Sequence, residues 1–227
     1  VTFGGNMTVD NPTHQFYIRG DNVTINGAYY TVDITTTNWS GLIAGTTYSK
    51  SSHGKSGLTI KNMGITASTG TLANSTATVG FGWLTGDSFM GNHGTGSTSV
   101  IENCWTTGDI DRSFTSGLVG TRALNGSSGS STDIKLHVKN CYTSGNIGTL
   151  SESNCSGLIG CNADRGLKVT NCVVRGNIIG SDNSGIFGSS TENTKGLGPI
   201  ENCYIYGTVS ATGGSSSYAI GNFSTNN

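Results

Sequence analysis

Charge is scarce in this chain. Charged residues are 11% of its 227 residues, well below the roughly 25% of an ordinary soluble domain. Twelve Lys and Arg against thirteen Asp and Glu leave a net charge of −1, so no basic excess marks a nucleic-acid partner. Proline occurs only twice. No apolar run approaches the roughly 18 residues of a membrane span. The helix formers Leu, Glu, Lys and Ala are few, which argues against helices. Glycine is plentiful at 36 residues but lacks the period of three that collagen requires. The chain opens at Val1 with neither Met nor a signal peptide, and reads as a mature product, a fragment or part of something longer.

What is present is Ser and Thr, 61 together, and 22 Asn. That composition points to an all-β protein full of tight turns, with polar but weakly charged surfaces. Two repeats alternate along it. The first is Ser-Gly-apolar-apolar-(Ala)-Gly, at Ser40–Gly45, Ser116–Gly120, Ser156–Gly160 and Ser184–Gly188, with weaker copies at Gly82–Gly86 and Ser217–Gly221. The second is [Ile/Val]-x-Asn-Cys-x-x-x-Gly-x-[Ile/Val], at Ile101–Ile110, Val138–Ile147, Val169–Ile178 and Ile200–Val209. A fifth copy, Ile60-Lys61-Asn62-Met63, has Met in the Cys seat.

The repeat asparagines are Asn62, Asn103, Asn140, Asn171 and Asn202, in steps of 41, 37, 31 and 31. Such steps are too long for hairpins and suit one winding of a β-solenoid. Ile60, Ile101, Val138, Val169 and Ile200 sit two residues before each Asn, a period of two that turns one face inward. The five Asn are predicted to form a ladder at a bend, each side-chain amide bonding the next. The expected fold is all-β: a parallel β-helix of about six to seven coils. It forms one domain over 1–227, with 1–15 a lead-in strand or cap, 16–221 the coils and 222–227 a polar tail.

Together the two repeats resemble the GLUG-type repeats of right-handed parallel β-helix proteins, found in bacterial surface adhesins and in surface proteins of large DNA viruses. The stretch Phe16–Gly27 looks like the first coil of many such β-helices. The resemblance spans residues 16–221. It implies right-handed coiling and a cell-surface or virion-surface, extracellular location. It leaves function open between adhesins, tailspikes and polysaccharide lyases.

Cys104, Cys141, Cys172 and Cys203 share one seat, and Met63 in the same seat argues for a buried thiol column; disulfides between adjacent coils are the alternative. Their spacing does not supply the Cys pairs of a zinc site. Cys155 and Cys161 lie outside that column and flank Ser156–Gly160, a candidate disulfide that implies an oxidising compartment. Asp109 and Asp111 are a weak candidate cation site, and Asp87 and His93, near Trp83 and Phe89, the best active-site or sugar-binding guess. Trp105, Tyr142, Val173 and Tyr204 follow the Cys column, an aromatic stripe fit for sugar rings if it faces outward. Glycosylation sequons fall at Asn6, Asn22, Asn38, Asn74, Asn125, Asn154 and Asn222, against about six expected by chance.

The sequence is read as non-enzymatic, with no catalytic residue, metal or cofactor assigned. The expected role is structural or adhesive, the partners being further copies stacked head to tail into a filament, or surface glycans. A β-helix polysaccharide lyase or hydrolase and a carbohydrate-binding module are the alternatives. An ice-binding face is disfavoured, because Val173, Val174 and Arg175 interrupt the Thr106-Thr107 column.

Overall fold

The computed structural model describes residues 1–44, 55–74, 79–90, 96–124, 133–163, 166–188, 197–210 and 218–220. Regular structure there is entirely β: β1 (Met7–Val9), β2 (Thr24–Asn26), β3 (Thr31–Ile34), β4 (Thr59–Thr66), β5 (Ser99–Thr106), β6 (Leu136–Lys139), β7 (Tyr142–Thr143), β8 (Leu167–Thr170), β9 (Val173–Arg175), β10 (Ile178–Ile179), β11 (Leu197–Glu201), β12 (Tyr204–Tyr206) and β13 (Val209–Ser210). Every pairing is parallel. Neighbours along the stack come from successive windings, so the fold is the β-solenoid that the repeat spacing predicts.

One face stacks Thr2, β2, the first half of β4, the first half of β5, β6, β8 and β11. Beyond a bend, a second face stacks β1, β3, the second halves of β4 and β5, then β7, β9 and β12. A third face, Ile110, Ile147, β10 and β13, runs through four windings. In the earlier windings a single bridge, Trp39 to Leu72, stands near that place. The structure thus has about four fully regular windings where six to seven coils were expected; the earlier segments keep the first two faces but not the third.

The period-two columns become the core. Ile25, Ile60, Ile101, Val138 and Val169 are paired in register and buried. Removing such a side chain from water contributes about 1.5–3 kcal/mol. A second inward column is Ile65, Thr106, Thr143, Val174 and Ile205. Two large polar rings are accommodated by hydrogen bonds to backbone: Trp39 Nε1 donates to Trp83 O at 3.1 Å and Trp83 Nε1 to Gly108 O at 3.2 Å.

The Ser-Gly repeat closes each winding as a tight arch. Its seats pair as Gly82, Ser116, Ser156, Ser184 and Tyr218, and as Phe16, Ile43, Thr85, Val119, Ile159 and Phe187. The turn between these seats buries both apolar residues of each copy before the last, as in Leu118 and Val119 or Leu158 and Ile159. The last copy differs from the sequence alignment by one residue. Tyr218, not Ser217, takes the Ser seat, because Gly185 N donates to Tyr218 O and Phe187 N to Ile220 O.

Candidate interaction surface

The bend between the first two faces is built on the repeat asparagines. Asn62, Asn103, Asn140, Asn171 and Asn202 all have φ between 52° and 55°. This is the left-handed region, which most side chains avoid and Asn tolerates. The corner therefore requires Asn for its backbone as well as for its amide. Asn103 Nδ2 donates to Asn62 Oδ1 at 2.9 Å, Asn140 to Asn103 at 3.3 Å, Asn171 to Asn140 at 3.1 Å and Asn202 to Asn171 at 3.3 Å. The structure adds a rung that the repeat pattern misses: Asn62 Nδ2 donates to Asn26 Oδ1 at 3.2 Å. Asn26 itself does not form the corner. It accepts from Ala28 N at 3.0 Å, and Ala28 and Tyr29 take the left-handed conformation there. Each inner rung uses one amide N–H and one oxygen lone pair, so one of each remains for another partner.

The seat after each Asn points inward. Met63, Cys104, Cys141 and Cys172 are buried and Cys203 is half-buried. All six cysteines are free thiols. Each repeat thiol donates to a carbonyl of the preceding winding, at 3.7 Å from Cys141 to Ile101 O and 3.8 Å from Cys172 to Val138 O. Burial pushes the Cys141 thiol well up, and a hydrogen bond with Cys141 together with burial raises that of Cys172. The candidate disulfide between Cys155 and Cys161 is not formed. The intervening arch leaves the two at opposite ends. Cys155 turns its sulfur to Arg112 O at 3.1 Å, in the field of Glu152 and Asp111. Cys161 lies in the field of Asp87 and Arg122 instead. Burial pushes each of these two thiols up to about 12, so both are protonated and unreactive at neutral pH.

The next seat faces outward. Gly64, Trp105, Tyr142, Val173 and Tyr204 pair in register along the stack. The indole of Trp105 lies across Gly64, where an added Cβ would stand 2.3 Å from the ring. Trp105 and Tyr142 are half-buried, and Tyr29 is 65% exposed beside them. With Asn103 and Asn140 they line an open groove of about 390 Å³. Further along, the Tyr204 and Tyr206 rings stack at 6.4 Å. Near the corner two ion pairs form: Lys139 with Glu102 at 2.8 Å, Lys168 with Glu201 at 3.3 Å.

The other sequence candidates are placed elsewhere. Asp87 is buried in an ion pair with Arg122, whose Nε donates to it at 3.1 Å, and Thr121 Oγ1 donates at 2.8 Å. Its neighbours Trp83 and Phe89 are core residues, and His93 lies outside the described residues. Asp87 is thus committed to holding a loop. Asp109 and Asp111 share a shallow recess of about 290 Å³ with Asn146 and Thr149. Asp109 accepts from Asn146 N at 2.8 Å. Among the described residues no group of three or more His, Cys, Asp or Glu comes together. Of the sequon residues, Asn6, Asn22, Asn38 and Asn74 are exposed. Asn154 is half-buried with Nδ2 donating to Ser153 Oγ at 3.1 Å. Asn125 and Asn222 lie outside the described residues. Among the described residues no helix is long and apolar enough to cross a membrane.

No protein-family model matches the chain. No curated protein and no solved structure matches it either.

Proposed function

We propose that this chain is a non-enzymatic structural and adhesive β-solenoid, displayed extracellularly at a cell or virion surface. The observation that supports this reading is the ladder from Asn26 to Asn202, with the thiol column behind it. The repeated Asn and Cys residues serve winding-to-winding attachment, while the outward seats and loops vary. That division of labour suits a stiff shaft that presents a surface. The likeness of the repeats to GLUG-type sequences points the same way. In this reading, exposed Asn6, Asn22, Asn38 and Asn74 are seats for N-glycans.

The test sets binding against turnover. Beads coated with the chain are expected to adhere to cells or extracellular matrix. The chain in solution is expected to release no reducing ends or unsaturated sugars from anionic polysaccharides. Release that disappears when the chain is heat-denatured overturns the reading in favour of the lyase or hydrolase.

End-to-end stacking into filaments belongs to the same proposal and has its own support. In the last described winding Val209 and Ile220 are 46% exposed. The residues that occupy their seats one winding earlier, Ile178 and Ile186, are 1% and 2% exposed. A further winding of β-structure, from a second copy, would cover them as Ile178 and Ile186 are covered. Negative-stain images are expected to show rods longer than one molecule; monomers alone at high concentration remove this part of the proposal.

A further inference from the structure

We propose that the Trp105–Tyr142 row, flanked by the amides of Asn103 and Asn140, binds an uncharged, hydroxyl-rich polysaccharide. The glycan chain would lie along the stack axis. The inference rests on the adhesive reading and supplies its ligand. Three observations carry it. The first is the seat of Trp105. Its indole lies across Gly64, where a Cβ would approach to 2.3 Å, so a glycine in mid-strand lets the ring settle on the sheet. Trp39 and Trp83 are 0% and 1% exposed with their N–H groups bonded to backbone. Trp105 is instead half-buried. An aromatic ring with one face on the sheet and the other toward solvent matches the C–H face of a pyranose.

The second observation is the spare hydrogen-bonding capacity of the corner. Asn103 and Asn140 each give one N–H and one lone pair to the ladder, which leaves one donor and one acceptor per amide. These repeat at the spacing of the windings, about 4.8 Å. Sugar hydroxyls need both a donor and an acceptor beside the ring. A proline-rich peptide on an aromatic groove needs donors for its carbonyls and has little use for the acceptors. The third observation is charge. The groove residues, Tyr29, Asn103, Cys104, Trp105, Asn140 and Tyr142, include no Asp, Glu, Lys, Arg or His, and Lys139 beside it is paired with Glu102. A neutral glycan loses nothing by entering, whereas an anionic one finds no free cation in the groove.

Iodide quenching of tryptophan fluorescence tests this directly, since Trp105 is the partly exposed one of the three tryptophans. The probes are cello-, manno-, xylo- and chito-hexaoses at millimolar concentration, a sulfated hexasaccharide, and a proline-rich decapeptide. At least one neutral hexaose is expected to shield Trp105 from iodide. Trp105→Ala and Tyr142→Ala, both at outward seats, are each expected to weaken binding of that hexaose about tenfold or more, measured by calorimetry. Both variants should melt within a few degrees of the parent. Shielding by none of the neutral probes, shielding by the sulfated probe or the peptide alone, or unchanged hexaose affinity in Trp105→Ala each overturns the inference. Adhesion of the beads described above is scored separately. Beads that still adhere when Trp105 is replaced defeat this ligand assignment and leave the adhesive reading standing.

Discussion

The two corners of each winding solve the same problem by opposite means. At the asparagine corner, successive windings are tied by side chains at the solvent boundary, each Asn taking φ near 53° and bonding its neighbour. At the Ser-Gly arch they are tied by backbone in the interior. Ser156 Oγ donates to Ile159 O at 2.6 Å within its own arch, and Gly188 N of the next winding donates to the same oxygen at 2.9 Å. A Cβ on Gly157 would stand 2.2 Å from Gly185 O and 2.6 Å from a methyl of Val174. One corner tolerates a change of side chain at a moderate cost. The other has no room for a side chain at its glycine.

Substitutions at the two corners sharpen or break this contrast. Gly157→Ala is expected to be the most damaging, at about 3 kcal/mol or more, because backbone of the next winding must move. Urea unfolding measures it, and a loss below 1 kcal/mol would mean that the arches are not close-packed. Asn140→Ala comes next, at about 2–3 kcal/mol, from a left-handed backbone without Asn and two lost amide bonds. Asn140→Gly restores the backbone freedom and isolates the amide bonds, leaving a loss of about 1 kcal/mol. If Gly and Ala prove equal at this position, the conformational part of the argument fails. Ser156→Ala should cost about 1 kcal/mol, since Ile159 O keeps its bond from Gly188.

The smallest effect is electrostatic and falls on the strand leading to the asparagine corner. Burial, with the charges of Lys168 and Lys139, holds the His137 imidazole below its ordinary range, against partial compensation by Glu201 and Glu102. Its Nε2 lies 2.8 Å from Thr170 Oγ1. As pH falls below about 6.5 the unfolded chain takes up this proton before the folded one does. Stability should therefore be level above that pH and decline below it, until the folded imidazole is also protonated. His137→Gln should flatten this part of the pH profile; an unchanged slope assigns it to other groups.

Much of the asparagine corner was legible in the sequence because its period is strict. Ile or Val two before Asn, and Cys just after, fix which side chains face inward, and Asn103, Asn140, Asn171 and Asn202 align in the order read. Asn26 was missed because it reaches the ladder from a corner that places Ala28 and Tyr29, not Asn, in the left-handed conformation. The arch was visible as a motif but its geometry was not. Two consecutive buried apolar residues contradict the period of two, and only the turn between them explains it. The Tyr218 register escaped for a related reason, since an arch held by backbone leaves its side chains freer to vary. The loops were least legible. Asp87 meets Arg122 across a separation of 35 residues, one winding away, and Cys155 and Cys161 meet different residues of the preceding winding, Arg112 and Arg122, despite standing six residues apart. Loop length varies between copies, so spacing in the chain carries no information about such meetings.

The amides of the corner share one orientation: in every rung the Nδ2 belongs to the later winding and the Oδ1 to the earlier one. An amide carries about 3.5 D, and moments aligned this way add rather than cancel. The edge of the shaft is therefore electrically directional, with a partial positive pole toward Asn26 and a partial negative pole toward Asn202. Bonds in such a chain polarise one another, so neutralising or reversing a single central amide should be felt several windings away.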